Sequence, residues 1–187
     1  MENIILVIRE LQGILGAILG SITTLIVTDL LRKKGKLKLY LIEWEDKYQT
    51  FKDVGCSMGG KADSDFYHYS FSYILQAYNK SDIPKIMRNF KVIFYNGKNE
   101  IFSYVPDDEG TKRFSSHMYH IDKMEVLNIN PKEIQVLKQT GYVNYEELNR
   151  IEGASKVELT YYDDKDKKRK IVLHKGIISM NNYRPSV

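Results

Sequence analysis

Residues Gly55-Cys56-Ser57-Met58-Gly59-Gly60-Lys61 have the spacing G-x-x-x-x-G-K of a phosphate-binding loop, in which backbone N–H groups cradle phosphates and the lysine reaches the terminal ones. Such a loop needs a following Ser or Thr to hold Mg²⁺ and a strand before it. Here Ala62 follows, Phe51-Lys52-Asp53-Val54 precedes, and Asp63 and Asp65 would repel phosphate, so the segment reads as a surface loop. Cys56 as a nucleophile would require a base brought near it, and His68, His117, His120 and His174 are the only imidazoles. His117 and His120, three apart, have a spacing that suits a metal on a helix, but no cysteine or carboxylate spacing completes a site. Asp163, Asp164 and Asp166 resemble the start of a Ca²⁺ loop without its turn glycine or terminal glutamate. They read as hairpin-tip charges, as do Asp107, Asp108 and Glu109. No catalytic constellation, metal site or cofactor is therefore expected. An enzyme would instead have to show a deep polar pocket holding Cys56 or two histidines.

The strongest signal positions the chain as a whole. From Leu11 to Thr28 there is no charge, and the apolar run to Leu31 ends in Arg32-Lys33-Lys34-Gly35-Lys36. About 20 apolar residues suffice to span a hydrocarbon core of roughly 30 Å, and Ser21, Thr24 and Thr28 can bond carbonyls of the preceding turn. A buried core helix is usually shorter and lacks a basic stop, and a cleaved signal peptide needs a basic start that Met1-Glu2-Asn3 does not give. The expectation is a single-pass anchor over residues 1–35, with the domain on the cytoplasmic side because Arg32, Lys33, Lys34, Lys36 and Lys38 outnumber Arg9 before the span. Those first four basic residues would meet lipid headgroups. Gly13, Gly16, Ala17 and Gly20 would let two anchors pack closely, although glycine is common in membrane helices anyway. Ile4 to Ile8 either extends the helix or lies along the interface.

The rest, a domain over 36–178 and a tail over 179–187, is expected to be strand-rich. Tyrosine is abundant (14 residues) and only four prolines interrupt, so one domain is expected. Net charge is +4 with both signs interspersed, which argues against a nucleic-acid partner. Leu37, Leu39 and Leu41 alternate, and from Tyr67 to Ala77 apolar residues recur at period two with His68, Ser70, Ser72 and Gln76 between them. Phe90, Val92 and Phe94 predict a strand, and Asn96-Gly97 a two-residue turn with Val92 opposite Ile101 and Tyr95 opposite Lys98. Pro106 to Gly110 reads as a loop, and Met118 to Ile129 as holding one further strand around Met124, Val126 and Ile129, with pairing restarting over 134–138. Asn144 should cap a short helix with Glu147 three residues on, and Gly153 should end it. Val157 to Tyr161 and Ile171 to Leu173 then form a hairpin with a charged tip.

About seven strands, frequent turns and one short helix make a mainly β chain, an antiparallel immunoglobulin-like sandwich; a small, partly open barrel is the competing closure. The anchor together with the Asn79-Lys80-Ser81-Asp82-Ile83-Pro84 turn resembles bacterial single-pass membrane proteins bearing an immunoglobulin-like domain. That resemblance implies a fold and a location, and no catalytic residues. The expected role is a membrane-tethered binding or scaffold module in the cell membrane, contacting lipids and a protein partner. The alternative is an oligomeric membrane effector, in which the β domain senses a signal and the helices assemble or perturb the bilayer.

Overall fold

In the computed structural model, which describes residues 2–183, a helix α1 (Glu2–Lys33) leads directly into ten strands. These are β1 (Leu37–Thr50), β2 (Phe66–Asn79), β3 (Lys85–Asn96), β4 (Asn99–Tyr104), β5 (Asp107–Ser115), β6 (Met118–Lys123), β7 (Val126–Ile129), β8 (Ile134–Asn144), β9 (Ala154–Tyr162) and β10 (Lys168–Ile178). Two single-turn helices, α2 (Phe51–Val54) and α3 (Leu148–Ile151), follow β1 and β8. One sheet has the order β1-β2-β8-β5-β6 and the other β10-β9-β3-β4, with β7 also on β3; every pairing is antiparallel. The sheets stay separate, so the fold is a sandwich and not a closed barrel.

Alternation decides which faces meet. Tyr69, Phe71, Tyr73, Leu75 and Ala77 of β2 are buried while the residues between them are half-exposed. Across the gap stand Val92 and Phe94 of β3 and Val157 and Leu159 of β9. Phe71 meets Phe94 edge-on at 5.7 Å between centroids, and Trp44 stacks on Phe71 at 5.6 Å and on His174 at 5.7 Å. Edge-to-face and offset contacts of this kind add to simple burial. The interior phenols are also anchored: Asp46 accepts from Trp44 Nε1, from the Tyr69 hydroxyl and from the Tyr183 hydroxyl. Burial, and then the Asp46 charge, pushes the Tyr69 pKa up, which keeps its proton available for that bond.

Several local expectations need correction. The β3–β4 turn is Gly97-Lys98, because Asn96 pairs with Asn99, Tyr95 with Glu100 and Val92 with Tyr104. Gly97 alone takes the positive φ (+61°), which fits a turn needing it only at the first central position. Residues 107–110 belong to β5, not to a loop, and two strands, β6 and β7, occupy the stretch expected to hold one. Asn144 makes no side-chain cap; a 3₁₀ turn over Tyr145–Glu147 intervenes, while Gly153 does end the segment at φ +77°. The capping box lies at α2, where Thr50 and Asp53 bond reciprocally. The 163–167 tip is more than solvated charge: Lys85, only 4% exposed, reaches Asp164 at 2.7 Å, and Arg88 pairs with Asp166.

The junction between α1 and the domain is built in. Asn79, fully buried, donates from its amide to the carbonyls of Ile83, Ile129 and Asn130, and its Oδ1 accepts from the Ser81 backbone and hydroxyl. The turn so fixed donates Asp82 N–H to Arg32 C=O. It also presses on Gly35, where an added Cβ would lie 2.7 Å from Ser81 N. Ser179 to Tyr183 turns back onto the domain, with Ser179 bonded to Glu152 and Tyr183 against Tyr48; of the expected tail, 184–187 lie outside the described residues.

Candidate functional site

The period-two pattern of β2 turns its small polar residues away from the core, and the neighbouring strands do the same. His68, Ser70 and Ser72 of β2 pair in register with Asn144, Tyr142 and Thr140 of β8, and with Gln49, Lys47 and Glu45 of β1. Together with Tyr119 and Ile121 of β6 they line an open groove of about 1300 Å³. At its β1 edge the groove reaches Trp44 and Asp46.

The β5–β6 hairpin that forms one wall is hinged where the chain crosses between sheets. Asp107 accepts the Tyr104 hydroxyl at 2.8 Å and pairs with Lys123 at 2.8 Å, and Lys123 Nζ lies 4.1 Å from the Tyr104 ring centroid. Burial, reinforced by the Asp107 hydrogen bond, pushes the Tyr104 phenol up, so it stays a donor. β5 pairs with β8 only at Asp107–Thr140 and Asp108–Gln139 and then diverges.

His68 contacts Gln49 Oε1 at 3.0 Å, and burial, then the Lys47 charge, lowers its pKa from the ordinary 6.5. At neutral pH the groove therefore presents a neutral imidazole, hydroxyls and amides, beside the rings of Tyr119 and Tyr142 and the side chains of Glu45, Asp46, Lys47 and Asp107. That set suits hydrogen bonding and stacking. No group of three or more His, Cys, Asp or Glu able to hold a metal occurs among the described residues. His117 and His120 sit on the hairpin turn and in β6, not on a helix. Cys56 is exposed in the loop after α2, with Gly55 and Gly60 at positive φ.

The residues singled out from sequence lie at the other end. Gly13, Gly16, Ala17 and Gly20 are exposed along α1, and a Cβ added at any of the three glycines would meet nothing within 4 Å. Ser21 and Thr24 bond the carbonyls of Ala17 and Gly20, as expected of hydroxyls in such a helix. Arg32 and Lys33 form its last turn, with Lys33 paired to Asp29 at 2.6 Å; Lys34 and Lys36 lie in the connection to β1. The groove itself was missed because β8 hides its period. Gln139 and Gly141 occupy core positions, the one accepting the Tyr73 hydroxyl, the other leaving room for the rings of Phe71 and Tyr104. Lys138, Thr140 and Tyr142 alternating against Leu137 and Val143 were the available signal.

Residues 35–174, starting just after α1, match the family model of the YopI Ig-like domain. The SPbeta prophage-derived uncharacterized protein YopI of Bacillus subtilis (strain 168) is 30% identical over 174 residues, covering 92% of this chain and 98% of that protein. Among solved structures, an ApaA-type protein from Bordetella pertussis is 9% identical, covering 78% of this chain and 94% of its own at a TM-score of 0.35. A protein from Archaeoglobus fulgidus is 7% identical, covering 75% and 98% at a TM-score of 0.36.

Proposed function

This chain belongs to the YopI Ig-like domain family, and from that premise we propose a membrane-tethered binding module: α1 crosses the cell membrane once, and the sandwich works at the cytoplasmic surface. The observation that carries the reading is an apolar helix with no protein cover. Leu11–Lys33 is 23 residues long, and its most apolar stretch buries nothing against the domain. Leu15, Leu19 and Leu25 would each expose most of their side chain to water, and lipid is the solvent that removes that cost. The basic end, Arg32 to Lys36, supports the cytoplasmic side for the domain and a grip on anionic headgroups of about 1 kcal/mol per residue.

The groove is where the partner binds. Tyr142 and Tyr119 supply rigid contact area, and Ser70, Ser72 and Asn144 offer partners to an extended polypeptide. A photo-crosslinking residue at Tyr142 in the full chain, expressed in its host, is expected to give one discrete protein adduct in the membrane fraction, lost with an excess of large side chains at Ser70. Adducts unchanged by Ser70→Trp would remove the groove from the reading. Recovery of the full chain in the detergent-free supernatant would remove the membrane tether.

The open glycine face favours one second reading, an effector that assembles through α1. A Gly16→Ile, Gly20→Ile double variant is expected to abolish crosslinked dimers in membranes; unchanged dimers would dismiss that seam.

A further inference from the structure

The turn that joins β2 to β3 is fixed from within and touches the end of α1. Buried Asn79 donates to three carbonyls and accepts twice from Ser81, and the Ser81 hydroxyl adds a bond to the Ile83 carbonyl. A second turn, Asn130 to Glu133, is bonded to the first. Lys132 N–H donates to the Ser81 carbonyl at 3.3 Å, and Lys132 Nζ to the Lys80 carbonyl at 2.9 Å. Asp82 N–H donates to the Arg32 carbonyl at 3.1 Å, and a Cβ added at Gly35 would lie 2.8 Å from the Lys80 carbonyl oxygen. Direct contact therefore sets Lys80 where α1 ends, and only Lys34, Gly35 and Lys36 separate α1 from β1.

The side chains gathered there are basic. Residues 29–38, 79–82 and 130–133 hold seven Lys and Arg against three Asp and Glu. Asp29 is taken by Lys33 at 2.6 Å and Asp82 by Lys132 at 3.2 Å, and the third acid, Glu133, is half-buried. Among the described residues, Arg32, Lys34, Lys36, Lys38 and Lys80 have no ion-pair partner. Lys38 stands opposite Tyr78 in the β1–β2 ladder, and Lys80 Nζ lies 5.7 Å from the centroid of the Tyr78 ring, so two exposed ammonium groups converge on one ring. The Lys38 amine, as hydrogen-bond partner and then as like charge, holds Lys80 below its ordinary pKa. An anion between the two amines relieves that repulsion.

We propose that Lys38 and Lys80 clamp the phosphate of an anionic phospholipid, with Lys34 and Lys36 beside them at the exit of α1. This rests on α1 spanning the bilayer, because the span is what brings this end of the domain to the headgroups. It adds the sandwich to the grip of the basic helix end: Lys80 belongs to the β2–β3 turn, so the bound headgroup ties the sheet itself, as well as its anchor, to the leaflet. A choline headgroup carries its own cation to the same place and fits less well.

The test uses the full chain purified in a neutral detergent, with retained lipid counted by native mass spectrometry after addition of phosphatidylglycerol, phosphatidylcholine or inorganic phosphate. The parent is expected to keep one phosphatidylglycerol at concentrations where it keeps no phosphatidylcholine. Lys38→Gln with Lys80→Gln is expected to weaken that retention about tenfold or more, and Lys38→Arg with Lys80→Arg to preserve it. Lys52→Gln with Lys98→Gln removes the same charge just past the far ends of β1 and β3 and is expected to change nothing. Equal losses in the two glutamine pairs mean that net charge alone is read. Phosphatidylcholine held as tightly as phosphatidylglycerol means that no anion is selected, and inorganic phosphate held at least as tightly as the lipid means that the ligand is soluble. Each of these three results overturns the proposal. Alkaline carbonate extraction of the chain from vesicles reads the span separately. A chain that resists extraction, while its Lys38→Gln, Lys80→Gln form keeps lipid as the parent does, overturns the clamp and leaves the span standing. A chain released by carbonate overturns the span, and with it the placement of the clamp at a bilayer.

Discussion

The β3–β4 and β5–β6 hairpins use the same local device, two antiparallel strands and a two-residue turn, to opposite ends. In the first, Gly97 supplies the positive φ at no steric cost, and Phe94 and Phe102 pack ring against ring at 5.8 Å inside the core. In the second, Ser116 and His117 take a strained turn, and Phe114 and Tyr119 pack ring against ring in solvent. An aromatic pair costs a chain little when it is buried. Left exposed beside a turn that its residues disfavour, it marks a place kept for contact rather than for stability.

Truncation should separate the two hairpins most sharply. Phe94→Ala removes a buried ring touching Tyr69, Phe71 and Phe102, and is expected to destabilise the domain by about 3–5 kcal/mol. Phe114→Ala is expected to stay within about 0.5 kcal/mol in the same urea titration. A Phe114→Ala cost near that of Phe94→Ala would mean that the tip folds onto the domain in solution, and the contrast would be lost.

The base of the second hairpin comes next. Asp107 is 9% exposed and holds both Tyr104 and Lys123. Asp107→Ala takes the acceptor from the half-buried Tyr104 hydroxyl, which keeps Lys123 Nζ as a partner, and removes the Lys123 ion pair; it is expected to cost about 1 kcal/mol. Because β5 has only two paired positions on β8, the same change should raise amide exchange in 107–123 far above that of β3 and β4. Equal exchange in both hairpins would show that β5–β6 is held by something besides this hinge.

The turns provide a signed test. Gly97→Ala puts a Cβ at φ +61° and is expected to cost about 1 kcal/mol, whereas His117→Gly relieves a side chain at +64° and is expected to gain up to about 1 kcal/mol. Melting the two variants beside the parent reads both signs. A destabilised His117→Gly would show that the imidazole makes a contact worth more than the strain.

The same pair of hairpins explains what could be read before the fold was known. β2 was legible because one face is buried and the other half-exposed, so composition alternates with the pleat; β3 and β9 were legible from apolar residues at every second position, although Ile93, Glu158 and Thr160 between them are buried as well. The two-residue length of the β3–β4 turn was legible from its glycine, although its register was one residue off, since Asn96 sits in the strand and not in the turn. β5 and β6 were not: a bulge between Asp108 and Arg113 breaks the period, both faces are mostly exposed, and Ser116-His117 carries no turn signal. The groove was lost with them, because one wall of it is this hairpin and the rest is mostly polar surface of β1, β2 and β8 whose meaning comes only from facing something. Gln139 and Gly141 hid β8 for a complementary reason: the core there is shaped by one hydrogen bond and one missing side chain, neither of which is a hydrophobic signal.

The smallest effect tests the surface lying under the second hairpin. His68 has a pKa below the ordinary 6.5 because burial, and then Lys47, disfavours the imidazolium. The folded state therefore binds fewer protons at this site than the unfolded chain does, and stability must rise with pH through the interval below 6.5. Above 6.5 the site contributes no slope. As pH falls below 6.5 the unfolded chain takes up the proton first, and stability declines until the folded-state value is passed. His68→Gln keeps a partner for Gln49 and removes the titration, so its stability should be flatter than the parent's over that interval and coincide in slope above it. An NMR titration of the His68 ring with a midpoint above 6.5 would contradict the burial that shapes the groove wall. A midpoint that rises when β5–β6 is loosened by Asp107→Ala would show that the hairpin supplies part of that burial. The exposed hairpin would then be the lid of the groove as well as its wall, a role the buried β3–β4 hairpin has no means to play.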